Sequence, residues 1–195
     1  MAISETDIAN MAVMSLGIET PISNILTDDS NEARYCRRFY APSRDAMLRS
    51  HPWNCAIHRK TITPLVATPD SDWDYQYQLP ANPHCLRVLQ VGEKEDQPIE
   101  WVVEERRLLC NEGTSVKLVY IKRITDTNEF DPLLIEAIAL KMAIKICMPL
   151  VKDQAIKDSL VKELEIITLP LARSIDAQEG STQSLDVETW DESRY

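Results

Sequence analysis

Glycine is scarce in this chain, four residues in 195, and that scarcity removes a whole class of sites. A loop that cradles phosphate needs several glycines so that backbone N–H groups can crowd one anion. Gly17, Gly92, Gly113 and Gly180 stand too far apart to build one. Histidine is as sparse: His51, His58 and His84 have no carboxylate or cysteine at metal-ligand spacing. The cysteines, Cys36, Cys55, Cys85, Cys110 and Cys147, are odd in number and form no CxxC pair. Buried free thiols are therefore expected, with no zinc site, redox motif or disulfide framework, and no cofactor. Nor does any apolar run reach the roughly 18 residues of a membrane span. The best candidate, Leu133 to Leu150, is broken by Glu136, Lys141 and Lys145, and no membrane contact is expected. The segment Met1-Ala2-Ile3-Ser4-Glu5 has no basic stretch followed by an apolar one, so synthesis in the cytoplasm without export is the expectation. Positive charge is also in deficit, 21 Lys and Arg against 31 Asp and Glu, for a net charge of −10. A duplex-binding surface works by replacing phosphate counterions with cations, and this chain should not grip nucleic acid.

Apolar periodicity is what the chain does have. Ser4 caps a first helix through Leu16, with Ile8, Met11, Ala12 and Leu16 on one face and Gly17 as its stop. Asp28-Asp29-Ser30 opens a second helix, with Asp29 and Glu32 as a capping pair. Its apolar side holds Ala33, Cys36, Tyr40, Met47 and Leu48, and Pro42 should kink or split it. Arg34, Arg37, Arg38 and Arg44 stand among those positions, either as a solvated face with local ion pairs or as a contact surface for an acidic neighbour. His51-Pro52-Trp53-Asn54 marks the exit, because proline biases the preceding residue away from α geometry.

From Cys55 to Thr125 the pattern turns to β. Strands are expected near Ala56–Thr63, Asp74–Leu79, Cys85–Val91, Ile99–Val103, Arg107–Cys110 and Val116–Ile121, with prolines and glycines between them as punctuation. Trp73-Asp74-Tyr75-Gln76-Tyr77-Gln78-Leu79 alternates as a half-buried strand does. Asn111-Glu112-Gly113-Thr114 has the composition of a hairpin turn. The expectation is a mainly antiparallel sheet or small sandwich, inserted between helices as a second lobe.

Asp131-Pro132 starts the strongest helix, apolar around nearly its whole circumference and ended by Pro149. A helix with no wet side must be buried centrally. A fourth helix begins near Asp153, carries Leu160, Leu164, Ile167, Leu171 and Ile175 in a seam, and should bend at Pro170. Asp176 to Tyr195 then hold six carboxylates against Arg194, yet keep Leu185, Val187, Trp190 and Tyr195 as candidate anchors. That composition predicts an extended acidic arm which orders on docking. The fold class is thus α+β: an antiparallel bundle of about four helices over residues 1–54 and 126–177, an inserted β domain over 55–125, and an arm over 178–195. Catalysis by Cys55 with His58, or by His84 with Cys85, finds little support, since strand neighbours point to opposite faces.

The ordered set of motifs resembles the head-to-tail adaptors of short-tailed bacteriophages, the tail tubular protein A family. It comprises the helix closing at Gly17, Asp28-Asp29-Ser30, Arg44 to Leu48, Pro52-Trp53-Asn54-Cys55-Ala56 and Trp73 to Pro80. Leu86-Arg87-Val88, Leu118-Val119-Tyr120-Ile121, Thr125-Asp126, Phe130-Asp131-Pro132 and a terminal helix through Ala172 and Ala177 complete it. The chain departs from the family at Cys55, where phenylalanine is commoner, and at Pro170. The resemblance implies a structural virion protein of the tail neck and no enzyme. It implies a homo-oligomeric ring, typically of twelve copies, beneath the portal protein and above the tail nozzle protein. DNA would pass through the ring without specific contact. Leu185, Val187, Trp190, Arg194 and Tyr195 would form the portal-binding arm, and the four arginines a helical interface. A transient assembly chaperone and a small Cys/His hydrolase are the alternatives.

Overall fold

Ser4 and Asp7 open α1 (Glu5–Met14) by capping each other: the Ser4 hydroxyl accepts from the Asp7 N–H at 3.2 Å and the Asp7 carboxylate accepts from the Ser4 N–H at 2.8 Å. Gly17, at φ +76°, closes it as glycine does most cheaply. Ile8, Ala9, Ala12 and Val13 are buried, whereas Met11 is on the exposed side. The computed structural model describes residues 3–92 and 99–179. Over them the protein is α+β, helices combined with two small antiparallel sheets.

The second helix, α2 (Asn31–Ser50), runs unbroken through Pro42. A kink or a split was the expectation; the split does not occur, because Tyr40, Ser43, Arg44, Met47 and Leu48 are buried on both sides of the proline, and that packing outweighs one missing hydrogen bond. The cap also differs: Ser30, not Asp29, accepts from the Ala33 N–H, and Asp28 accepts from the Ser30 N–H. At the exit His51 is extended (φ −143°, ψ 149°), as a residue before proline should be. Trp53 is fully buried and its indole N–H donates to the Met47 carbonyl at 2.9 Å, satisfying one of the helix's orphan acceptors.

The β segment forms two three-stranded antiparallel sheets. One has the order β1 (Ile57–Ile62), β6 (Val116–Lys122), β3 (Cys85–Val91); the other β2 (Tyr75–Gln78), β5 (Arg107–Cys110), β4 (Trp101–Glu104). The turn at 111–114 is therefore not a hairpin, because β5 and β6 lie in different sheets. The hairpin joins β4 to β5 through Glu105 and Arg106, both at positive φ (44° and 60°), the geometry of a primed two-residue turn. Strand alternation gives β6 two duties. Leu118 and Tyr120 face the core between the sheets, while Ile121 faces the helices.

The central helix, α3 (Pro132–Leu150), is capped by Asp131, whose carboxylate accepts from the Leu133 and Leu134 N–H groups. Its buried residues run from Leu134 to Cys147, and it packs against α1, α2 and α4 (Gln154–Lys162). Pro149 lies inside its last turn, so the helix ends one residue beyond that proline. Asp153 caps α4 in the same manner.

Winding then changes. Glu163–Thr168 is a π-helical turn, leading directly into α5 (Leu169–Gln178), and Pro170 sits in the first turn of α5. A proline there lacks the N–H that would continue regular α bonding from the preceding turn, and a π turn absorbs such a break. The expected seam is overturned in consequence. Leu160 and Leu164 are buried, but the buried line continues through Thr168, Leu169, Ala172 and Asp176. Ile167, Leu171 and Ile175 are rotated outward.

Candidate interface surfaces

Two of the four arginines singled out by sequence have internal duties. Arg37 Nε donates to the Ile25 carbonyl and its Nη2 to the Asp28 carbonyl, both at 2.8 Å, pinning the connector between α1 and α2. Arg44 is buried; its guanidinium lies 2.9 Å from the Asp45 carboxylate and 5.7 Å from the Tyr40 ring centre. Asp45 also pairs with Arg123 at 2.7 Å, so the cluster ties α2 to the residue following β6. Arg34 and Arg38 are exposed. Leu185, Val187, Trp190, Arg194 and Tyr195 lie outside the described residues.

A second feature couples the helix exit to α5. Asp176 was expected to begin the acidic tail; it is instead a buried residue of α5. Its carboxylate accepts from the Asn54 N–H at 2.9 Å and lies 3.3 Å from His51 Nε2, while its carbonyl accepts from Asn54 Nδ2 at 2.5 Å. Helix α5 is thereby fastened beside the start of β1. Sequence reasoning treated Asp176 as surface charge, and no local pattern marks a carboxylate whose partner lies 122 residues away.

Burial holds His51 below its ordinary value of 6.5, with Arg173 and Arg87 adding to the effect and Asp176 opposing it. His84 is lowered by burial, then by Arg106 and Arg123, with Asp45 opposing. A group with a lowered folded pKa contributes stability above its unfolded pKa, and loses it as pH falls through the folded value. Thermal stability should therefore decline as pH drops below 6.5, before Asp7 and Asp126, themselves held below 3.8 by hydrogen bonds, begin to protonate. Melting curves collected between about pH 5 and 8 check this, and His51→Gln with His84→Gln should flatten the profile. A melting temperature independent of pH in the parent chain would contradict it.

Among the described residues, the terminal helix carries several exposed apolar side chains. Ile166, Ile167, Leu171 and Ile175 are 69%, 61%, 50% and 41% exposed. Ile167, Leu171 and Ile175 recur every fourth residue, a single stripe along the helix. Isolated surface leucines are ordinary, whereas a contiguous apolar line marks a contact surface.

The cysteine–histidine pairs are not set up for nucleophilic work. Burial pushes the Cys55 thiol up, the reverse of activation, and the His58 ring stacks edge-on against Tyr120 at 5.4 Å. Cys85 is buried and raised to about 11, while His84 Nε2 lies 3.0 Å from Arg106 Nη1. All five cysteines are free thiols. Among the described residues no group of three or more His, Cys, Asp or Glu side chains is placed to hold a metal ion, and no helix is long and apolar enough to cross a membrane. No protein-family model matches this chain, and no curated protein matches it either.

Proposed function

We propose that the protein is a structural head-to-tail adaptor of a phage virion, working in the tail neck as a ring between the portal protein and the tail nozzle protein. The observation that carries this reading is the uncovered stripe of Ile167, Leu171 and Ile175 on a helix otherwise fastened into the core. A chain whose task is to fit between larger bodies needs an apolar face of this kind on a rigid support. In this reading the helices form a bundle with the sheets inserted as a lobe, and subunits close a ring through two different surfaces. The stripe, with exposed Arg34 and Arg38, serves the lateral and portal contacts. The acidic arm adds Leu185, Val187, Trp190, Arg194 and Tyr195. DNA crosses the ring without being held, in keeping with a net charge of −10. The raised thiol of Cys55 weighs against the hydrolase alternative.

Purified chain mixed with portal rings at physiological salt tests the proposal. Stoichiometric binding is expected, and Trp190→Ala with Tyr195→Ala should weaken it by about 2 kcal/mol or more, as loss of aromatic anchors does. Melting temperature should be unaltered. Absence of binding would refute the reading. Mass spectrometry of purified virions separates a resident adaptor from a chaperone that departs before maturation.

A further inference from the structure

Strand β3 is an outer strand of one sheet and β4 an outer strand of the other, and among the described residues no ladder joins them. Between them lies a cleft of about 400 Å³. Val88, Trp101 and Val103 make its apolar part, and Arg49, Arg87 and Arg106 its rim. Trp101 and Val103 stand opposite Cys110 and Leu108 in the register of β4 with β5, so their side chains share the face that holds the core between the sheets. Val103 is nevertheless 40% exposed, so that core is uncovered at the cleft.

The same strand offers backbone groups. The tight turn makes Glu104 and Arg107 a hydrogen-bonded pair, so Val102 also directs its N–H and C=O toward β5. By alternation those of Trp101 and Val103 point the other way, off the edge of the sheet. Among the described residues no backbone group outside the sheet bonds to them.

Positive charge surrounds this edge. Arg87 Nη1 donates to the Arg49 carbonyl at 3.1 Å, and Arg106 donates to the Cys85 and Pro80 carbonyls, both at 3.3 Å. These neutral acceptors hold two guanidinium groups in place without cancelling their charge. The ion pairs among the described residues use other cations, and no described carboxylate pairs with Arg49, Arg87 or Arg106. After burial, Arg106 is the next cause holding His84 below 6.5. In a chain of net charge −10 such a cluster is a local exception.

An open strand edge selects an extended polypeptide, because another backbone supplies donors and acceptors at the matching repeat. Guanidinium groups select carboxylates. We infer that the cleft takes an extended acidic segment of a partner protein, added to the free edge of β4 as a fourth strand of that sheet. The segment carries an apolar residue that rests on Trp101 and Val103, with carboxylates two positions away on the same flank, where they meet the arginines. The cleft shares no residue with the stripe on α5, and the inference does not rest on the adaptor reading.

The probe is the peptide acetyl-Thr-Glu-Thr-Val-Thr-Glu-Thr-amide, which places Glu, Val and Glu on one flank and has the same sequence in either strand direction. Titrated into the isotopically labelled full chain at low salt, it should shift the amides of Trp101 and Val103 and the Trp101 indole, and saturate. The version with glutamine for glutamate should bind about tenfold more weakly, and so should the glutamate peptide to Arg49→Glu. Arg49→Glu should in turn bind a lysine version better than the parent does. Val103→Pro removes one outward N–H while leaving the ladder to β5 alone, and should weaken binding by about fivefold. Both positions are exposed, so melting temperatures should match the parent. Should Val103→Pro fail to fold, Arg49→Glu and the peptide series still decide. Equal binding of the glutamate and glutamine peptides, or the same shifts from inorganic phosphate, would overturn the proposal. Shifts at Trp101 on removal of residues 180–195, or on dilution of the chain alone, would also overturn it, because the cleft would then belong to the chain's own segment or to a second copy.

Discussion

Ile138→Asp should yield no folded protein. Ile138 is fully buried in the middle of α3, the helix around which α1, α2 and α4 pack. A carboxylate there has neither water nor a cation. Its desolvation alone exceeds the roughly 5–15 kcal/mol that separates folded from unfolded domains. Protonation lowers the cost but leaves a polar group without partners where an aliphatic side chain had packed. Ile138→Val at the same position should lose only about 0.5–1.5 kcal/mol. Circular dichroism and gel filtration of the two variants make the comparison, and a cooperative native-like melt for Ile138→Asp would refute the central placement of α3.

The opposite behaviour is expected on the terminal helix. Ile167→Gln with Leu171→Gln should leave unfolding within about 0.5 kcal/mol of the parent, because both side chains are largely in solvent. Association with portal rings or with further copies of the chain should fall by roughly thirtyfold or more, the effect of removing about 2 kcal/mol of anchor contacts. Light scattering reads the association and calorimetry the stability. A loss of stability with association intact would mean that the stripe is part of the fold and not an interface.

These two sites show where the sequence was legible. The apolar circumference of α3 required central burial, and Leu134, Ala137, Ile138, Met142, Ala143 and Ile146 are all fully buried, on more than one side of the helix. The strand boundaries follow in the same way from alternation and proline placement. Cys85–Val91 and Arg107–Cys110 coincide with expectation, and β1, β2, β4 and β6 differ from it by one or two residues at their ends. What sequence pattern could not supply was pairing. The turn chemistry of Asn111-Glu112-Gly113-Thr114 describes a local bend. Whether β5 then pairs with β6 depends on two sheets competing for the same strand. The real hairpin turns through Glu105-Arg106, residues with no turn signature, held at positive φ by the pairing of β4 with β5. The phase of the last helix was lost for a related reason. A seam counted at regular spacing assumes α winding throughout, and the π turn at Glu163–Thr168 breaks the count between Leu164 and Ile167. Asp176 was hidden by distance along the chain, since its partners His51 and Asn54 lie more than a hundred residues earlier in the sequence although they touch it in the fold.

That irregular turn also makes the terminal segment two-sided. Each residue of an α-helix advances about 100° around the axis, so one residue more or fewer before Leu169 would exchange which flank meets the interior and which meets water. A single codon gained or lost there would leave the composition almost untouched and yet trade a sticky exterior for a bland one. Relatives that dispense with the bulge should therefore differ in what they adhere to well before they differ in how they are built.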